Sequence, residues 1–115
     1  MDTKDFFDMN IIQNLKDLSN GDDSFLKEIV DIYLNQAPGL INDIRTNAFT
    51  NNSDSLSKSA HTLKGASLNV GAFKFADICN KIEIAGKENN LQNIDNLISE
   101  MDSCYNLVKE LIVKL

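Results

Sequence analysis

From Phe25 to Ile112 the apolar residues of this 115-residue chain recur every three or four positions, interrupted only by short polar or glycine-bearing runs. That period is what an α-helix imposes on a buried stripe, because side chains three and four apart share a face at 100° per residue; a half-buried strand would alternate instead. Phe25, Leu26, Ile29, Val30, Ile32, Tyr33 and Ala37 carry the pattern to Pro38, and Leu40, Ile41, Ile44, Ala48 and Phe49 carry it onward. Pro38, the only proline, therefore either kinks one long helix or begins a second. Asn51-Asn52-Ser53 breaks the chain and supplies a cap for a segment reaching Val70, where Gly71 marks a tight turn or kink. Phe73, Phe75, Ala76, Ile78, Cys79, Ile82, Ala85 and Gly86 form the next helix, closed by Gly86-Lys87-Glu88-Asn89-Asn90, and the stretch from Leu91 to Ile112 forms the last. Ahead of these, Phe6, Phe7, Ile11, Ile12, Leu15 and Leu18 predict a short amphipathic helix ended by Ser19-Asn20-Gly21, after which Asp22 or Asp23 caps its successor. Four long amphipathic segments on short loops predict an all-α fold: an antiparallel up-down four-helix bundle with an additional short N-terminal helix across one end.

The length fits one domain, residues 1–115, able to bury a modest core without a disulfide or a structural metal. Cys79 and Cys104 fall at apolar positions of predicted helices and lack C-x-x-C spacing, so they read as small core residues. Neither a signal segment nor an apolar run of membrane-spanning length is present, so a cytoplasmic location is expected. The net charge of −6 argues against nucleic acid or a membrane as partner. The charge is unevenly spread. Between Ser57 and Glu88 five lysines (58, 64, 74, 81 and 87) face Asp77, Glu83 and Glu88, a balance of +2 that leaves −8 elsewhere.

Within that basic stretch lies the only histidine, His61. Leu56, Ala60, Leu63, Ser67 and Val70 make the inward stripe of its helix, which leaves His61, Lys64, Gly65 and Leu68 as a second stripe well away from the first. A solvated helix face gains nothing from a glycine, which costs about 1 kcal/mol against alanine in a helix interior. An imidazole, an ammonium, a glycine and a leucine side by side predict a docking surface, although Leu68 also fits a partly buried flank position. Antiparallel helices meeting near Gly71-Ala72 bring together positions equidistant from residue 72, and 61 pairs with 83. Glu83 is therefore expected at the height of His61, where a carboxylate accepting from Nδ1–H would leave the Nε2 lone pair facing outward. Glu83 also suits an i, i+4 ion pair with Lys87.

The run His61-x-Leu63-Lys64-Gly65-x-Ser67-x-x-x-Gly71-Ala72, followed by Cys79-x-x-Ile82-Glu83-x-x-Gly86-Lys87, closely resembles the signature of histidine-containing phosphotransfer (HPt) domains of phosphorelay signalling. Ala66, where many members have serine, and Ile82, where leucine is usual, depart mildly from it. The resemblance implies that His61 is a phosphoacceptor, taking a phosphoryl group from the aspartate of one receiver domain and passing it to another. It implies that Lys64 pairs with the phosphoryl oxygens, that Gly65 lets the receiver approach, that Glu83 hydrogen-bonds the histidine, and that Ser67 and the Gly71-Ala72 turn are structural. The implied partners are receiver domains of response regulators or of hybrid histidine kinases, met by a monomer. No cofactor is expected on this chain, Mg²⁺ coming from the receiver's acidic pocket. No glycine-rich phosphate loop accompanies the motif, so autophosphorylation from ATP is not expected. The alternative is a phosphoacceptor domain of a larger hybrid or chemotaxis-type kinase; the Met1 start slightly favours a free-standing protein.

Overall fold

A 3-10 turn (Thr3–Asp5) and five α-helices follow one another: α1 (Met9–Asp17), α2 (Ser24–Phe49), α3 (Ser53–Asn69), α4 (Phe73–Lys87) and α5 (Ile94–Ile112). The computed structural model describes residues 2–115, with no strand among them; Met1, on which the expectation of a free-standing protein leaned, lies outside. Each long helix packs on its sequence neighbour, and α2 meets α5 to close the ring, as an up-down bundle requires. The expected all-α bundle with an extra short N-terminal helix is the observed fold.

The inward stripe of α3 is fully committed to the core: Leu56, Ala60, Leu63, Ser67 and Val70 are all buried. Burying each aliphatic side chain of this kind stabilises the fold by roughly 1.5–3 kcal/mol. The polar member, Ser67, donates to the Leu63 carbonyl at 2.7 Å and its Oγ lies 2.9 Å from the Tyr33 hydroxyl, which ties α3 to α2. A buried hydroxyl needs such partners, and these two fix how α3 is turned about its axis. Cys79 and Cys104 are free and buried, and burial raises both thiols, Cys79 to about 12, so they are inert core groups.

The structure decides between the alternatives that the sequence left open and departs from it at the N-terminus. Pro38 begins no new helix: α2 runs through it for 26 residues. Pro38 lies on the exposed side, where a carbonyl deprived of its donor reaches water. The first α-helix excludes Phe6 and Phe7, because the Asp8 carboxylate accepts from Asn10 N–H at 3.0 Å and starts the helix at Met9. Both phenylalanines are still buried, as a plug ahead of the helix, whereas Leu18 is exposed. Asp22, rather than Asp23, accepts from the first turn of α2. As expected, α4 closes within Gly86-Lys87-Glu88-Asn89-Asn90: it ends at Lys87, and Asn89 beyond it is left-handed, with φ 52°.

The turn that sets the antiparallel pairing of α3 and α4 is anchored from outside. Gly71 has φ +72°, its carbonyl accepts from Asp8 N–H at 2.7 Å, and a Cβ there would sit 3.1 Å from the Asp8 carbonyl oxygen. Only glycine satisfies both conditions, so the N-terminal segment is pinned to the turn that aligns His61 with Glu83.

Candidate functional site

The α3–α4 seam brings the sequence-derived residues together. His61 projects from α3 with its side chain 67% exposed, and its Nδ1 lies 2.9 Å from Glu83 Oε2 on α4. Glu83 is nearly enclosed, its side chain 3% exposed, and two ammonium groups reach it: Lys64 Nζ at 2.7 Å from Oε1 and Lys87 Nζ at 2.9 Å from Oε2. Lys64 also donates to Asn80 Oδ1 at 3.3 Å. Its contact with Oε1 is an ion pair without hydrogen-bond alignment, and that oxygen has no hydrogen-bond partner. The two carboxylate oxygens are therefore held unequally, Oε2 by an imidazole and an ammonium and Oε1 by Lys64 alone.

Burial is the largest influence on the Glu83 carboxyl and pushes it upward, but contacts from Lys64, Lys87 and His61 together outweigh it and hold the group at about 2. Two of the groups that cover Glu83 are themselves at the surface: the His61 and Lys87 side chains are well over half exposed. An ionised carboxylate only accepts hydrogen bonds. The proton of the neutral His61 ring must then sit on Nδ1, which directs the Nε2 lone pair away from Glu83.

A close backbone approach keeps the two helices in this relation. A Cβ on Gly86 would lie 2.8 Å from the Ser53 carbonyl oxygen and from Ser57 Cβ, and 2.9 Å from Ser57 N. Ser57 is one turn before His61 and Gly86 three residues after Glu83, so this contact lies one turn along the seam and sets its width.

The outward stripe differs in one respect from the sequence reading. His61, Gly65 and Leu68 are exposed, but Lys64 is half-buried and leans across the seam. A Cβ on Gly65 would meet nothing within 4 Å, so no contact inside the molecule calls for glycine there. Nor do the five lysines of the stretch form a diffuse patch. Lys58 pairs with Asp54, Lys81 with Asp77, Lys74 lies over the Phe6 ring, and only Lys64 and Lys87 converge on Glu83.

Sequence reasoning left Lys87 and Asn80 out of the site. The i, i+4 spacing had exposed the Glu83–Lys87 pair, but as a rival to the His61 contact; the carboxylate makes both. Asn80 was findable by the same symmetry that paired 61 with 83, since 64 and 80 are equidistant from 72. Among the described residues no three His, Cys, Asp or Glu side chains are grouped to hold a metal ion, and no helix is long and apolar enough to cross a membrane.

A profile of the Hpt domain family matches residues 28–111, and the chain belongs to that family. Its activity is accordingly histidine phosphotransfer in a phosphorelay, where proteins of this family interact with receiver domains. The crystal structure of histidine-containing phosphotransfer protein B (HptB) from Pseudomonas aeruginosa PAO1 has the same fold, with a TM-score of 0.86 and 21% identity over 95% of this chain and 92% of that one. No curated protein sequence matches the chain.

Proposed function

We propose that His61 is the phosphoacceptor, receiving the phosphoryl group from an aspartyl phosphate of one receiver domain and handing it to the aspartate of another. The observation that carries this reading is the 2.9 Å contact between Nδ1 and an ionised, buried Glu83, which leaves the Nε2 lone pair outward. A neutral imidazole is a nucleophile available near neutral pH, unlike a lysine amine, which is almost wholly protonated. In the transfer, Nε2 attacks phosphorus, the Nε2–P bond forms, the P–O bond to the aspartyl carboxyl breaks, and the carboxylate leaves with the electron pair. The ring gains positive charge while Nδ1 keeps its proton, and Glu83 faces that charge. Such a reaction needs mostly positioning and charge stabilisation. Lys64, one turn from His61, meets the phosphoryl oxygens; Gly65 and Leu68 form the surface on which the receiver sits; Mg²⁺ is supplied by the receiver's acidic pocket.

The test is to incubate the protein with a phosphorylated receiver domain and Mg²⁺ and follow acid-labile, alkali-stable phosphate. Wild-type protein is expected to take up label and His61→Gln to take up none, with Lys64→Ala slower by about tenfold, the scale of one lost charge-assisted contact. Glu83→Ala is expected to have a smaller effect than Lys64→Ala. Equal labelling of wild type and His61→Gln overturns the assignment.

A further inference from the structure

Lys64 has two claims on it. In the resting protein its ammonium is the sole partner of Glu83 Oε1, at 2.7 Å. Once His61 carries a phosphoryl group, the dianionic oxygens one turn away attract the same ammonium. If Lys64 were the only ammonium on Glu83, turning to the phosphoryl group would leave a carboxylate that is 3% exposed with the His61 ring alone, whose charge the phosphoryl group also attracts, and a buried charge so thinly balanced is unfavourable. Transfer would then be opposed by the very carboxylate that orients the histidine.

The structure supplies a second cation. Lys87 Nζ stands 2.9 Å from Oε2, the oxygen already shared with His61 Nδ1, and its side chain is 64% exposed, so it keeps water on its far side. Glu83 thus has one ammonium on each oxygen, both as ion pairs, while the hydrogen bond from His61 Nδ1 falls on Oε2 and leaves Oε1 to Lys64. Its position follows from two sequence facts. Lys87 is four residues beyond Glu83, which stacks the two side chains on one helix face, and Gly86 draws this end of α4 against Ser53 and Ser57.

We propose that Lys87 is the standing counter-ion of Glu83, whose presence frees Lys64 to turn to the phosphoryl group on His61. This inference rests on His61 being the phosphoacceptor. Lys87 acts through Glu83 and touches neither the reacting atoms nor the receiver, so it is a positioning residue. Its bland alternative is a cation in the last turn of α4 that favours the helix C-terminus and an exposed i, i+4 pair.

The experiment measures single-turnover transfer from a phosphorylated receiver over a range of receiver concentrations, with wild type and His61→Gln run alongside. Lys87→Met is expected to lower the rate at saturating receiver by roughly fivefold, about 1 kcal/mol of coupling through Glu83, with an unchanged half-saturating concentration and recovery in Lys87→Arg. In a Glu83→Gln background no carboxylate remains to be balanced, and Lys87→Met should then change nothing further. A rate equal to wild type overturns the inference, as does a change in half-saturation alone, which would make Lys87 a docking residue. A loss that persists in the Glu83→Gln background also overturns it, because Lys87 would then act on the phosphoryl group directly. Thermal unfolding of each variant separates loss of transfer from loss of fold: a fall in transfer that only tracks a fall in stability counts against the inference. Labelling of His61→Gln would defeat the phosphoacceptor reading itself, whatever Lys87 does.

Discussion

Between α3 and α4 a buried carboxylate draws in a histidine and two lysines, and a glycine lets the helix backbones touch; between α2 and α5 an exposed guanidinium holds an exposed aspartate. The second contact, Arg45 to Asp102, is bidentate at 2.8 and 3.0 Å, yet both side chains are about half in water. Ion pairs of that exposure contribute about 0–1 kcal/mol because solvent already stabilises each charge. The Glu83 cluster differs in that its carboxylate cannot return to water without opening the seam. In one bundle, then, charge fastens one seam loosely and organises chemistry at the other, and enclosure of a single carboxylate makes the difference.

The sharpest way to break this contrast is at two helical glycines, Gly86, buried in the seam, and Gly65, exposed on the outward stripe. Gly86→Val must push α4 from the Ser53 and Ser57 backbone, and is expected to destabilise the fold by about 1–3 kcal/mol in chemical or thermal unfolding, with slower transfer as the seam widens. Gly65→Gln, where a side chain meets nothing, is expected to leave helix content intact and weaken receiver binding by about tenfold in a titration, the order of one misfitted contact at an interface centre. Unchanged affinity would remove Gly65 from the docking surface.

A smaller effect separates the two seams by pH. The Glu83 carboxyl is held at about 2 in the folded protein against an ordinary 4.5, so the folded state favours its ionised form. Its contribution to stability is complete above about 4.5 and is lost as pH falls from there through about 2. Glu83→Gln should therefore flatten the acid side of a stability–pH curve in that window, and an unaltered slope would mean the carboxylate is not held down by its neighbours. Asp102→Asn should be the mildest change, about 0–1 kcal/mol at neutral pH with an unchanged transfer rate.

Much of the site was legible because it depends on spacing. The heptad-like recurrence of Leu56, Ala60, Leu63, Ser67 and Val70 fixed which way His61 faces, and reflection about residue 72 placed Glu83 opposite it. What the chain concealed depends on how far long side chains reach. Lys64 lies on the outward stripe by periodicity, but its flexible stem carries the ammonium inward to Glu83, a choice made by a charge on another helix. The need for glycine at 86 was hidden for a similar reason, since only the packed distance between α3 and α4 reveals it. At the N-terminus, Phe6 and Phe7 fit a helical period, and the local hydrogen bond from Asn10 to Asp8 overrides it.

The account stands or falls on which ring nitrogen is phosphorylated. Nitrogen-resolved NMR of the phosphorylated protein, labelled on its single histidine, should show phosphorus on Nε2 of His61 and a proton retained on Nδ1 facing Glu83. Phosphorus on Nδ1, or on any residue other than His61, would contradict it.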